Sequence, residues 1–517
     1  RLNPKDLFQH QTVQRLALVA QWGGDESSID QQAASGAALL LPIQQQFFAD
    51  DIPQRHHWNQ SVLLQPRQTL DAEKIEQVLR ALVAHHDALR LSFTQHDGVW
   101  QAEHRAVEAL PQNLLWQEHV ADAAALEALG NRAQRSLDLQ HGPLLRAVLA
   151  TLADGTQRLQ LVIHHLAVDG VSWRILLEDL QNAYQQLLND QPLSLPSRTS
   201  AFKDWGEHLQ RYANSPALQA ELDYWQACLS DVSTDLPCKR VDASQDNRLA
   251  QTVQTRLGTE LTRQLLQEAP AAYRTQVNDL LLTALARVIG RWSGQASTLI
   301  QLEGHGREAL FDGVDLTRTV GWFTSLFPVR LTPADTLGES IKQIKEQLRA
   351  IPNKGIGFGA LRYLGDARAQ QSLQALPSPR ITFNYLGQFD GSFAGDEAAL
   401  FVPSPDNAGL DQSPEAPLGN WLTLNGQVYG GELRVGWTFS SERFDSAVIE
   451  ALAADYAAEL AALIGHCLTP GVEGLTPSDF PLAGLTQAQL DQFPLAPRQV
   501  ADVYPLSAMQ QGMLFHS

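Results

Sequence analysis

The chain has 517 residues, 44% of them hydrophobic, with a formal charge of −19 at neutral pH. That length calls for two or more lobes, and the acidic balance argues against nucleic acid or an anionic membrane as the main partner. No long apolar run and no signal-peptide pattern occurs, and Cys228, Cys238 and Cys467 are too scattered for a metal cluster or disulfide framework, so a reducing cytoplasm is expected.

Both ends look cut from something longer. Residues 1–20 carry Leu7, Phe8, Val13, Leu16 and Ala17 with nothing beside them to pack on, and a polar stretch leads away from them, so 21–35 reads as a linker. Ile75, Val78, Leu79, Leu82 and Val83 form a helical stripe that ends near His85 and His86. Leu89, Leu91 and Phe93 then alternate like a strand. Leu159, Leu161 and Ile163 alternate with Gln160 and Val162, a mostly buried strand. Trp173, Leu176, Leu177, Leu180, Tyr184, Leu187 and Leu188 follow on one helical face. A proline- and serine-rich loop at 191–200 divides a first lobe, 36–200, from a second, 201–480.

In the second half Val277, Leu281, Leu285, Val288 and Trp292 predict a long buried helix, and 298–302 a strand with Glu303 at its end. Ile341, Ile344, Leu348 and Ile351 predict another helix, and Ile449, Leu452, Tyr456, Leu460 and Leu463 a late one. Residues 481–500 read as a second linker, and 501–517 as the start of a further unit. Alternating strands and helices predict an α/β (α+β) fold. Each half has a strand ending in a potential acid–base group.

The chemistry starts with His164 and His165, which stand where a strand gives way to a loop. Histidine titrates near neutrality and can take and return a proton. Strand neighbours point to opposite faces, so only one of the pair can face a given cavity; the other is structural. Asp169 can hydrogen-bond or ion-pair to fix the loop, and Gly170 is read as granting a backbone conformation closed to other residues. No further ligands stand at metal spacing.

Glu303, Gly304, His305, Gly306, Arg307 and Glu308 form the second cluster. Partial burial of Glu303 would raise its pKa and suit it to proton transfer; the spacing alone slightly favours a plain ion pair with Arg307. Asn384 and Tyr385 add an amide and a phenol inside an apolar strand, where packing is the default for the ring. The run 319–328 has the character of core. The glycine-rich stretch 352–359 is read as a loop that could brush phosphate, although no Lys-Ser/Thr follows it. This inventory offers no nucleophile and no cofactor fingerprint. It suits proton transfer or base-assisted acyl transfer, and the residues alone do not choose.

Together these blocks resemble the epimerization domain of nonribosomal peptide synthetases, a subtype of the condensation-domain superfamily. The superfamily hallmark His-His-X-X-X-Asp-Gly stands at 164–170. The epimerization subtype is marked by Asp-Gly-Val-Ser-Trp-Arg, here at 169–174, by Glu-Gly-His-Gly-Arg-Glu at 303–308, and by Val-Gly-Trp-Phe-Thr at 320–324. The stretches 352–359 and 383–388 match two more blocks, and Pro42, Ile43, Gln44, Phe47 and Phe48 look like the opening. The likeness covers roughly 36–480. Residues 6–17 look like the last helix of a peptidyl carrier domain, and 504–514 like the opening of a following condensation domain.

The resemblance implies two chloramphenicol-acetyltransferase-like lobes in a V-shaped pseudo-dimer with a central tunnel. It implies that an L-aminoacyl or peptidyl thioester arrives there on the phosphopantetheine arm of the upstream carrier and leaves as a D/L mixture, with no cofactor of the domain's own. His165 and Glu303 would act on opposite faces of Cα. Asn384 and Tyr385 would assist as relay or hydrogen-bond donor, and His164, Asp169, Gly170, Ser172 and Trp173 would hold the site. The alternative is a condensation domain forming a peptide bond with the same histidine, which leaves the Glu303 block unexplained.

Overall fold

The computed structural model describes residues 29–109, 113–388 and 399–515. The carrier-like segment 1–20, most of the first linker, and Phe389 and Asp390, which follow the strand that carries Asn384 and Tyr385, lie outside the described residues.

The first half runs β1 (Gly36–Ala38), α1 (Pro42–Ala49), β2 (Asn59–Pro66), α2 (Ala72–His85), β3 (Leu91–His96), β4 (Val99–His104), β5 (Leu115–Val120), α3 (Ala123–Gln134), β6 (Leu145–Leu152), β7 (Gln157–His164) and α4 (Gly170–Leu188). The second half includes α5 (Phe202–Ala213), β8 (Ala250–Leu257), α6 (Val277–Ser293), β9 (Thr298–Gly304), β10 (Ser325–Leu331), α7 (Leu337–Arg349), α8 (Ile356–Leu364), β11 (Ile381–Gln388), β12 (Phe401–Pro403), β13 (Leu422–Tyr429), β14 (Glu432–Ser440) and α9 (Ser446–Leu468). The fold is mixed α/β.

One sheet has the order β12-β2-β7-β6-β5, the other β10-β9-β11-β13-β14-β8, and a small third sheet is β1-β4-β3. β7 is central in the first because its side chains are buried on both faces, as its near-continuous apolar run requires. In the second sheet, Leu422, Leu424, Val428, Leu433, Val435, Trp437 and Phe439 fill one face. Trp437 meets Tyr456 of α9 edge-on, and the Tyr456 hydroxyl donates to the Leu281 carbonyl at 3.0 Å, tying α6 and α9 to that face. The opposite face is polar: Gln301 and Glu303 on β9 lie in register with Thr382 and Asn384 on β11 and Thr423 and Asn425 on β13.

Three placements differ from the sequence expectation. β12 lies in the span assigned to the second lobe, yet it pairs with β2 as an edge strand of the first sheet, Phe401 opposite Pro66. Downstream of it, Asp411 accepts hydrogen bonds from Ser61 at 2.5 Å and Gln134 at 2.9 Å. A three-residue edge strand has too little periodicity to announce its partner. Residues 352–359 are not a loop throughout: a short turn, Pro352–Gly355, runs into α8, which packs against α1 and α5. Gly355 has φ +83° with the Phe327 ring against it, so neither its backbone nor its space admits a side chain. Finally, the stretch 481–500 is docked rather than free. Lys342 bonds Asp491 at 3.0 Å, Arg274 donates to the carbonyl of Pro497, and Leu475, Phe480, Leu490 and Val500 make a small apolar cluster. The helix Ala508–Phe515 beyond it exposes Met509 and Met513.

Candidate active site

β7 ends at His164, a single turn covers His165–Ala167, and Asp169 caps the N-terminus of α4. His164 is fully buried. Its Nε2 donates to the Arg55 carbonyl at 2.7 Å and its Nδ1 accepts from the Leu166 N–H at 3.1 Å. Burial pushes its pKa down to about 3, so it stays neutral and structural.

His165 points the other way. Its ring stacks on Trp322 with centroids 4.1 Å apart, its Nδ1 lies 2.8 Å from the Val168 carbonyl, and its Nε2 lies 3.1 Å from the Gln60 amide nitrogen. Burial lowers its pKa below the ordinary imidazole value. Trp322 belongs to the stretch read from sequence as core; it is core, and it also forms the face against which His165 is set.

Asp169 joins the two halves of the chain. Its Oδ1 accepts from the Ser172 N–H at 2.9 Å, an N-cap bond worth about 1 kcal/mol. Its Oδ2 accepts from Arg307 at 2.6 Å and from the Phe323 N–H at 3.1 Å. Arg307 reaches on to Ser172 Oγ and the Thr319 carbonyl, both at 3.0 Å, and its guanidinium lies over the Phe323 ring. Both members of this pair are almost completely buried. Arg307 is thus a bridge between the two halves of the chain, not the partner of Glu303.

Gly170 does not have the role expected of it. Its φ is not positive and a Cβ built there meets nothing within 4 Å, so its backbone is open to other residues. The glycine that the geometry does require is Gly306, with φ +71° and a hypothetical Cβ only 1.6 Å from the Phe323 carbonyl oxygen. That contact carries the chain from β9 across to Arg307.

Glu303 lies one residue from the end of β9, with its side chain exposed. The protein round it nevertheless desolvates the carboxyl and raises its pKa to about 7. Asn384 Nδ2 donates to Glu303 Oε2 at 2.9 Å, a bond that favours the carboxylate. Tyr385, one residue on, leaves β11 from the opposite face and packs against the core. The structure therefore brings Asn384, and not Tyr385, onto Glu303. Trp173 and Ser172 sit on the first turns of α4, where the Trp173 indole N–H donates to Gln60 Oε1 at 2.9 Å. Gln60 carries no signal in the sequence. Its place beside His165 follows only from the pairing of β2 with β7.

Glu303 and His165 each stand four residues from one end of the Asp169–Arg307 pair, 303 to 307 and 165 to 169. An imidazole and a carboxyl from different halves of the chain are thereby tied to one ion pair through the loop and the turn that follow them. Such a site can remove a proton from a bound carbon acid and return one.

Residues 34–485 match the Condensation domain family, and the chain belongs to it. It is 38% identical over 94% of its length to tyrocidine synthase 2 of Brevibacillus parabrevis, of which it spans 14%. It is likewise 38% identical over 95% of its length to surfactin synthase subunit 1 of Bacillus subtilis (strain 168), spanning 14% of that protein. Among solved structures it is similar to the epimerization domain from the third module of tyrocidine synthetase B. The identity is 38% and the TM-score 0.79, covering 85% of this chain and 99% of that one. The relatives are peptide synthases far longer than this chain, and the fold is that of condensation and epimerization domains.

Proposed function

We propose that this chain inverts the Cα of an L-aminoacyl or peptidyl thioester carried on the phosphopantetheine arm of a carrier domain upstream in the same synthetase. The observation that carries the reading is the Asp169–Arg307 ion pair, which ties the loop behind His165 to the turn behind Glu303, two groups contributed by different halves of the chain. The thioester acidifies its own Cα–H, so no cofactor is required. One of the two groups takes that proton and leaves an enolate. The other delivers a proton to the opposite face, and the two exchange roles in the reverse direction. Hydrogen-bond donors near the thioester oxygen would stabilise the enolate.

The similarity to an epimerization domain supports this reading, as does the block from Glu303 to Glu308, which a one-sided acyl transfer does not need. In the same proposal residues 1–20 end the carrier, 501–517 open a downstream condensation domain, and the protein works in the cytoplasm. No helix among the described residues is long and apolar enough to cross a membrane.

The test loads the carrier with an L-aminoacyl pantetheine and incubates it with the protein in deuterated water. A D/L mixture with deuterium at Cα is expected. Retained L configuration without exchange contradicts epimerization, and peptide-bond formation with an added acceptor would establish condensation instead.

A further inference from the structure

We propose that Gln60, anchored by Trp173, holds Nε2 of His165 unprotonated before substrate arrives and is the positioning residue that must give way when that nitrogen takes a proton. An indole N–H can only donate, and it lies 2.9 Å from Gln60 Oε1. The amide oxygen therefore faces Trp173, and the NH₂ group faces His165, 3.1 Å from its Nε2. On the far side of the ring Nδ1 meets the Val168 carbonyl, which can only accept, at 2.8 Å, so Nδ1 carries the hydrogen. Nε2 is left with its lone pair directed at the amide.

The line Trp173–Gln60–His165 is satisfied for the neutral imidazole alone. A proton on Nε2 would set donor against donor at Gln60. Turning the amide over would relieve that contact and create the same conflict at the indole. Each arrangement with imidazolium thus costs one hydrogen bond.

The charged and titratable groups about the ring are few. Asp169 on the same loop favours the charged form, but Arg307 and two N–H groups already occupy its oxygens. His164 behind it is neutral. From the second half come the neutral face of Trp322, with Glu303 and His305 on the strand end and turn beyond. Burial acts in the same direction as Gln60. The catalytic consequence rests on the proton-transfer reading above; the tautomer does not.

The experiment is a ¹⁵N titration of the full chain, selectively labelled in histidine and without substrate. The wild type is expected to show Nδ1–H and a bare Nε2 for His165. Gln60→Glu keeps an acceptor for Trp173 but puts a carboxylate at Nε2, and the midpoint should rise by about one pH unit or more. Trp173→Phe frees the amide to turn and should move the midpoint the same way by less. The acid limb of Cα exchange in Gln60→Glu should shift with the midpoint, and activity should recover at higher pH, whereas a packing defect lowers the rate at every pH. An Nε2–H tautomer in the wild type, or midpoints unchanged in both variants, would overturn the proposal. If the titrations behave as stated but the wild type exchanges nothing, the epimerization reading fails and the hold on His165 stands.

Discussion

Asp169 and Arg307 form a 2.6 Å ion pair that ties the loop behind His165 to the turn behind Glu303. Neither charge has much water to fall back on, and each is further committed to neighbouring N–H, hydroxyl or carbonyl groups. The pair therefore fixes the geometry of the proposed site, whose two groups come from distant parts of the chain.

Breaking it should be costly. Arg307→Ala or Asp169→Ala leaves the partner charge buried and is expected to destabilise the fold by about 3–5 kcal/mol. The double variant should lose much less than the sum of the two. Urea denaturation of all four proteins reads this directly, and additive losses would show that the residues do not act as a pair.

The histidines make a second prediction, about acid stability. Burial lowers the pKa of His57, His104 and His165, takes His85 to about 4 and His164 to about 3. An unfolded histidine titrates near 6.5, so below that pH the unfolded chain binds protons that the folded chain refuses. The histidine contribution to stability should accordingly be full above pH 6.5 and be lost as the pH drops from there toward 4, against the opposite contribution of Glu303, whose raised carboxyl takes up its proton in the folded state first. His164→Asn, which removes a group depressed to about 3, should flatten that slope even if it lowers stability at neutral pH. An unchanged slope would deny His164 its buried neutral state.

The paired strand and helix round His164 and His165 were legible because a run of alternating apolar residues and an N-cap Asp169 are local signals. The partner of Arg307 was not. Its spacing suited Glu303 as well as anything, and only the folded turn, forced by Gly306 against the Phe323 carbonyl, sends it to Asp169 instead. Gln60 was invisible for the same reason, since the β2–β7 register is a long-range fact. Asn384 and Tyr385 read as one unit in sequence, yet strand alternation sends one to Glu303 and the other to the core.

Gly306 should be intolerant of change. Gly306→Ala combines a left-handed backbone with a Cβ placed on the Phe323 carbonyl, and the turn must shift to admit it. Loss of Cα exchange with a lower melting temperature is expected. By contrast Gly170→Ala meets open space and should retain most of the activity. Equal tolerance at both positions would refute the geometry of the turn.

Glu303 should set a pH dependence near 7, where desolvation by the surrounding protein has brought its carboxyl. In the direction that uses it as a base, the rate should rise with pH through that value; in the direction that uses it as an acid, it should fall. Glu303→Gln should remove both inflections and slow exchange by a hundredfold or more, on the order of the usual contribution of a general acid or base. His165→Ala should abolish exchange. Wild-type rates in either variant would remove the assignment of that residue.

The central claim is that two groups attend opposite faces of one carbon, and isotope placement at early reaction times tests it most directly. Carrier-bound L and D substrates, each unlabelled, are reacted separately in deuterated water and stopped after less than one turnover. Two-sided transfer predicts deuterium in the inverted product from either start, and hydrogen retained in the recovered substrate. Inverted product that keeps the substrate's own hydrogen, or equal labelling of recovered substrate and product, would contradict it.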